Sequence, residues 1–267
     1  MAQCIFPYYV ENKVYHSQAD RWIPVPCGKC PECTKRRAHS WAFRLEKEAQ
    51  NYVHRYFLTL TYDNLHLPLT PKGYATLRKS DVQKFMKRLR KKVKDLKYYY
   101  VGEYGTRRKR PHYHMILFTN ERINDLIVDE WFHGNVHFGK AEEGSIYYTI
   151  QYYDKGDWLT YGIDDDRMPE FSNMSKGMGQ DPALVDYIGT RADTPFIYYN
   201  GKKIAIPRYY KKKLFEKSPQ KQQEFLLKAK IKGKNEKDTE QASADARARF
   251  EYIKNYRREQ RSRRGDK

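Results

Sequence analysis

Residues 97–118, KYYYVGEYGTRRKRPHYHMILF, decide the fold class. Two runs rich in tyrosine and aliphatic residues, 97–105 and 112–118, flank a basic loop, TRRKRP. That layout predicts two antiparallel strands joined as a hairpin. Side chains two apart in a strand share a face, so His112 and His114 point one way while Tyr113 and Met115 point the other. Glu103 stands nine residues before His112. With the loop centred near residue 107 or 108, it faces His112 or His114 across the ladder, where opposed Cβ atoms are about 4.5–5.5 Å apart. One carboxylate and two imidazoles on one face can hold a divalent cation and leave positions open for phosphate oxygens and water. The plainer readings are hydrogen-bonded histidines at a strand end, and a Glu103 paired with Arg107 or Arg108. A β-bulge in the hairpin would break the register.

Working outward, YFLTLTY (56–62) has the β-branched and aromatic content of an internal strand. A helix is expected from Thr34 to Tyr52, with Ala38, Trp41, Ala42, Leu45 and Ala49 at helical spacing. A second helix is expected to open at Ser80, with Gln83 completing a capping box and Val82, Phe85, Met86, Leu89, Val93 and Leu96 as its apolar stripe. Its other face carries Lys84, Lys87, Arg88, Lys91 and Lys94, either solvated or set against phosphates. A short helix (122–131), a strand in GNVHFGK and a short helix over 144–156 follow. Beyond them, MSKGMGQDP and IPRYYKKKLF fall in a loop-rich region, and Ser218-Pro219 opens a polar, basic, mostly helical tail. The order of elements suits an α+β domain with a mostly antiparallel sheet. The expected division is an irregular, cysteine-containing segment over 1–33, a core domain over 34–215 and the tail over 216–267.

The chain has 267 residues, a formal net charge of +19 and a pI near 9.6, which favours a polyanionic partner. No apolar stretch approaches the roughly 18 residues of a membrane span, and MAQCIFPYYV does not have the layout of a secretory signal. A cytosolic setting is therefore expected. Cys27, Cys30 and Cys33 follow a C-x2-C-x2-C spacing, and Cys4 offers a fourth thiolate. Four thiolates suit a closed, tetrahedral structural zinc; reduced thiols near a helix start are the other reading, and iron–sulfur ligation lacks a redox role. Arg107, Arg108, Lys109 and Arg110 in the hairpin loop are candidate phosphate contacts, as is the tail, which also reads as a solubilising appendage.

YYTIQYYDK (147–155) supplies Tyr148, Tyr152 and Lys155. On a helix the two tyrosines stand at i and i+4, and Lys155 continues their face. A phenol is a poor nucleophile at neutral pH, so a nearby ammonium and a polarised phosphate would both be needed to favour its attack. The product would be a phosphotyrosine, conserving the bond for rejoining. Tyr147 and Tyr153 are rivals for the role, and in so tyrosine-rich a chain the pair also reads as packing.

The set FLTLTYD, GEYG…RPHYHMILF and the 148–155 segment resembles the HUH rolling-circle replication initiators, named for His–hydrophobic–His. VPCGKCPECTKRRAHSWAFRLEKE, KFMKRLRKK, MSKGMG and IPRYYKKKLF extend the resemblance, over about residues 4–215, to the replication initiator of gokushoviruses, single-stranded DNA phages of the Microviridae. The resemblance implies an HUH endonuclease-like, five-stranded antiparallel sheet flanked by helices. It implies that His112 and His114, with Glu103, bind Mg2+ or Mn2+, and that Tyr148 or Tyr152 attacks single-stranded origin DNA. A 5′-phosphotyrosyl link and a 3′-OH primer for host polymerase would result, and the partner tyrosine would later allow the displaced strand to be closed. In the family's two-tyrosine members a lysine lies three beyond the second tyrosine, as Lys155 does. Lys176 and Gly177 stand where the family more often has Pro-Gly. The implied setting is the host cytoplasm, with supercoiled replicative-form DNA as substrate. There is no nucleotide-binding P-loop, so unwinding would fall to supercoiling or a host helicase. The alternatives are a related HUH transposase or relaxase, and a non-catalytic nucleic-acid-binding module whose tyrosines stack on bases.

Overall fold

Strands β3 (His54–Thr61), β4 (Leu96–Tyr104), β5 (Pro111–Thr119), β6 (Val136–Lys140) and β7 (Phe171–Met174) form one sheet in the computed structural model, in the order β6-β3-β5-β4-β7. Every neighbouring pair is antiparallel. The structure describes residues 4–11, 21–28, 30–105, 108–140, 165–191, 196–222, 224–225, 248, 251–252 and 254–256. It divides into two units, residues 41–180 with the five-stranded sheet, and residues 1–40 with 181–267.

In the first unit the strand alternation sorts the sheet into two faces. Leu58 and Leu60 of β3, Tyr100 and Tyr104 of β4, and Tyr113, Met115 and Leu117 of β5 point to one side. There they pack against Val82, Phe85, Met86 and Leu89 of α2 (Lys79–Lys92) and Ile127 of α3 (Asn124–Glu130). The other face carries Thr59, Val101, Glu103, His112, His114 and Ile116. The later half of α1 (Pro31–Ala49) lies within this unit, where Trp41 sits 5.0 Å from the Tyr99 ring and buried Glu48 accepts from Lys97 Nζ at 2.8 Å. The α+β class with a five-stranded antiparallel sheet follows the expectation.

Several local expectations are corrected. α1 starts one turn earlier than Thr34, at Pro31, whose fixed φ suits a first helical position. α2 starts at Lys79, so Ser80 lies inside the helix and no side chain caps the N-terminal residue, Arg78. A buried tyrosine replaces the capping box: the Tyr113 hydroxyl accepts from Arg78 N–H at 2.8 Å and donates to Arg78 C=O at 3.0 Å. The fifth strand, β7, lies in the region expected to be loop-rich. It pairs with β4 through Gly102↔Phe171 to Tyr99↔Met174, an edge pairing that a four-residue polar strand does not announce locally. The short helix expected over 144–156 lies outside the described residues.

In the second unit, the segment expected to be irregular contains a ribbon of β1 (Tyr8–Glu11) and β2 (Trp22–Val25), in register Tyr8↔Val25. α4 (Pro182–Thr190) begins at a true cap, where Asp181 accepts from Leu184 N–H at 2.9 Å. β8 (Phe196–Tyr199) and β9 (Lys202–Ala205) turn through Asn200-Gly201 at φ +47° and +70°. Positive φ at both central residues is the hairpin geometry for which Asn-Gly is suited. IPRYYKKKLF is α5 (Arg208–Lys217), not loop. After Ser218, residues 219–222 are helical, as its Ser-Pro start predicts.

Candidate metal centre

β4 and β5 pair without a bulge, and Glu103 stands directly opposite His112. This is the register of a loop centred between residues 107 and 108. Because β5 alternates, His114 points to the same face one pleat further along. The result is convergence: Glu103 Oε1 lies 2.7 Å from His112 Nε2 and 3.1 Å from His114 Nε2. The three ligand atoms lie within 4.8 Å of one another. Glu103 and His114 are buried, at 5% and 6% exposure, while His112 keeps an opening to solvent.

The far nitrogen of each ring is anchored by the sheet. His112 Nδ1 lies 3.2 Å from the Arg110 carbonyl, which can only accept, so Nδ1 carries a hydrogen and Nε2 presents its lone pair. His114 Nδ1 lies 3.1 Å from Thr59 Oγ1, directly across the β3–β5 pair, and the Phe57 ring stacks on His114 at 5.7 Å. Such outer partners fix ring orientation before any ion arrives. Burial alone would raise the Glu103 carboxyl, but hydrogen bonds from the two histidines hold it below the usual carboxylate range. Burial alone would lower His112, and the bond to Glu103 outweighs it, so the imidazole sits above its ordinary value.

Glu170 is a neighbour that pattern reasoning missed. Extending the β4–β7 register by one residue sets it beside Glu103. Its Oε1 accepts from Tyr104 N–H at 3.0 Å, and its Oε2 is buried without a hydrogen-bond partner among the described residues. Burial, with the nearby Glu103 charge, pushes this carboxyl up. It precedes a strand with no sequence signal, so nothing local marked it. Thr59 was legible in principle, since it shares the 57-59-61 face of FLTLTY.

The hairpin loop is only partly a free basic surface. Arg108 is exposed, Lys109 adopts φ +50°, and Arg110 donates to the Tyr62 carbonyl at 2.7 Å, so it also braces the site. Arg107, Tyr148, Tyr152 and Lys155, with the rivals Tyr147 and Tyr153, lie outside the described residues. Cys4, Cys27, Cys30 and Cys33 meet elsewhere, in the second unit, as a separate four-sulfur cluster. Among the described residues, no helix is long and apolar enough to cross a membrane.

Comparison with known proteins places this centre in a family. A family model described as replication-associated protein of the ORF2 type matches residues 55–157, which hold Glu103, His112, His114 and the tyrosine segment. Replication-associated protein VP4 of Bdellovibrio phage phiMH2K is 31% identical over 237 residues, covering 78% of this chain and 73% of that protein. The chain belongs to the phage replication-associated proteins. Replication-associated protein ORF4 of Chlamydia phage 1 is 30% identical over 225 residues, covering 74% of this chain but 55% of its own length. Replication-associated protein ORF2 of Spiroplasma virus 4 is 33% identical over 182 residues, covering 58% and 55%. The chain thus spans about half the length of two of these replication-associated relatives.

Proposed function

We propose that the protein is a rolling-circle DNA replication initiator of the HUH endonuclease type, which nicks and rejoins single-stranded origin DNA through a tyrosine. The observation that carries this is the convergence of Glu103 Oε1, His112 Nε2 and His114 Nε2 within 4.8 Å. The replication-associated names of its relatives supply the biological direction.

The donor set fits a divalent cation. Two imidazole nitrogens and one carboxylate oxygen leave coordination positions open, and the Arg110 carbonyl holds His112 in the ligating tautomer. When bound there, Mg2+ or Mn2+ supplies Lewis acidity at the scissile phosphate. The residues of the chain do the rest. Tyr148 or Tyr152 attacks phosphorus through its phenolic oxygen; a Tyr–O–P bond forms, the P–O3′ bond breaks, and the 3′ oxygen takes up a proton. Lys155 favours the phenolate by its charge. Reversal of the same exchange, with a free 3′-OH attacking the phosphotyrosine, reseals a strand without an external energy source. Arg107, Arg108, Lys109 and Arg110 hold the DNA backbone. Supercoiled replicative-form DNA would present the origin in the host cytoplasm, with host polymerase extending the 3′-OH and a host helicase opening the duplex.

The test is a labelled single-stranded origin oligonucleotide incubated with protein and Mn2+, then resolved on a denaturing gel. A protease-sensitive covalent band is expected, lost in Tyr148→Phe/Tyr152→Phe and in His112→Ala/His114→Ala. Cleavage that survives the double tyrosine change would replace the phenol by an activated water. Tight binding with no covalent band would make the protein a binding module.

A further inference from the structure

Cys4, Cys27, Cys30 and Cys33 take no part in the proposed strand exchange, yet their sulfurs are gathered as closely as the ligands of the first centre. The Sγ atoms of Cys4 and Cys30 are 3.9 Å apart, those of Cys27 and Cys33 are 4.0 Å apart, and all four lie within 4.8 Å of one another. None of the four is in a disulfide. A tetrahedral zinc with Zn–S bonds of about 2.3 Å requires sulfurs about 3.8 Å apart, which is the observed spacing to within a few tenths of an ångström. Four thiols of a plain hydrophobic core have no reason to meet at one point from segments 23 residues apart in sequence.

The surrounding backbone is arranged for thiolates. Gly28 takes φ +75°, a conformation favoured by glycine, and so folds the Cys27–Cys30 turn back until Cys30 N–H donates to Cys27 Sγ at 3.3 Å. Cys27 N–H donates to Cys4 Sγ at 3.2 Å, and Ile5 N–H to Cys30 Sγ at 3.5 Å. Cys30 and Cys33 sit at the N-terminal end of the 19-residue α1, where the helix dipole favours negative charge. Arg36 donates to Cys33 Sγ at 3.4 Å, and Arg37 donates to the Gly28 carbonyl. A divalent ion with four thiolates carries a net charge of −2, and these donors and cations offset it.

We propose that this cluster binds one zinc ion as a closed structural site that ties the chain around Cys4 and the Cys27 turn to the start of α1. With all four ligands from protein, no position is left for water or substrate, so the ion does no chemistry. An iron–sulfur cube is excluded by the spacing, because iron and sulfide would have to stand between cysteines that here meet around a single point. The site is independent of the HUH reading, and it adds a metal of different class in the other unit of the chain.

The experiment uses the full chain, purified without chelator. Elemental analysis is expected to give one zinc per chain, retained in His112→Ala/His114→Ala and lost in Cys30→Ser. Replacement by Co2+ in the unaltered protein is expected to give thiolate-to-cobalt charge-transfer absorption with the intense visible bands of tetrahedral cobalt, which keeps the proposal testable even if Cys30→Ser fails to fold. Iron in place of zinc, cysteines found paired as disulfides, or a protein that holds no zinc and gives no thiolate–cobalt band would each overturn it. Because nicking and zinc content are read separately, failure of one leaves the other standing.

Discussion

Thr59→Val tests whether the sheet itself prepares the metal centre. Thr59 lies on β3 directly across from His114, and its Oγ1 is 3.1 Å from His114 Nδ1. Valine has nearly the same shape and a high strand propensity, so the substitution removes the bond and little else. Outer partners of a metal-binding histidine contribute about 10–100-fold in affinity, or about 1.4–2.8 kcal/mol at 1.4 kcal/mol per tenfold. The stability term is smaller: one hydrogen bond is worth about 0.5–1.5 kcal/mol net, and about 2–4 °C in Tm per kcal/mol for a domain of this size gives a drop of roughly 1–6 °C. Mn2+ titration by calorimetry, with thermal melts of the metal-free protein alongside, reads both. The expected outcome is a Kd weakened at least tenfold with a modest fall in Tm. An unchanged Kd would refute the idea that ring orientation is set across the β3–β5 pair, whatever the melt shows.

The other predictions concern pH, backbone space and salt. His112 titrates above its ordinary 6.5, so in the metal-free protein its bond to Glu103 contributes stability that is full below 6.5 and lost as pH rises through the folded value. Mn2+ affinity must run the opposite way, weakening by about tenfold per pH unit below that value as a proton has to be displaced; parallel pH series of melts and titrations would check the crossing trends. Gly134 sits at φ +154°, and an added Cβ would fall against the Thr61 carbonyl and 2.5 Å from Asp63 N. Gly134→Ala should therefore cost about 3 kcal/mol or more in chemical denaturation, since backbone on both sides cannot yield. Arg108→Ala should weaken binding to unrelated single strands uniformly and reduce the slope of log K against log salt by about 0.7, one phosphate contact on single-stranded DNA. No change in that slope would remove Arg108 from the DNA path.

Much of the sheet was legible because strand alternation is a local property. Tyr113 and Met115 against His112 and His114 can be assigned to opposite faces from spacing alone, and the loop length places Glu103 opposite His112 unless a bulge intervenes. Helix stripes were equally readable, since Val82, Phe85, Met86 and Leu89 repeat at the helical period. Helix ends were not. Ser80 looked like a cap, but Tyr113, distant in sequence, already served the Arg78 backbone, and that competition has no local trace. Asn200-Gly201 did carry a hairpin signal, which short flanking strands made easy to pass over.

From its residues alone, this chain specified the α+β class, the hairpin, and which side chains could act as ligands, because each depends on periodicities of two and 3.6 along a continuous segment. Tertiary structure decided the rest: the pairing of β7 at the sheet edge, the place of Glu170 beside Glu103, the Thr59 bond to His114, and the meeting of Cys4 with three cysteines more than twenty residues away. Those are contacts between segments whose separation in sequence sets no distance in space, so only the packed chain could fix them.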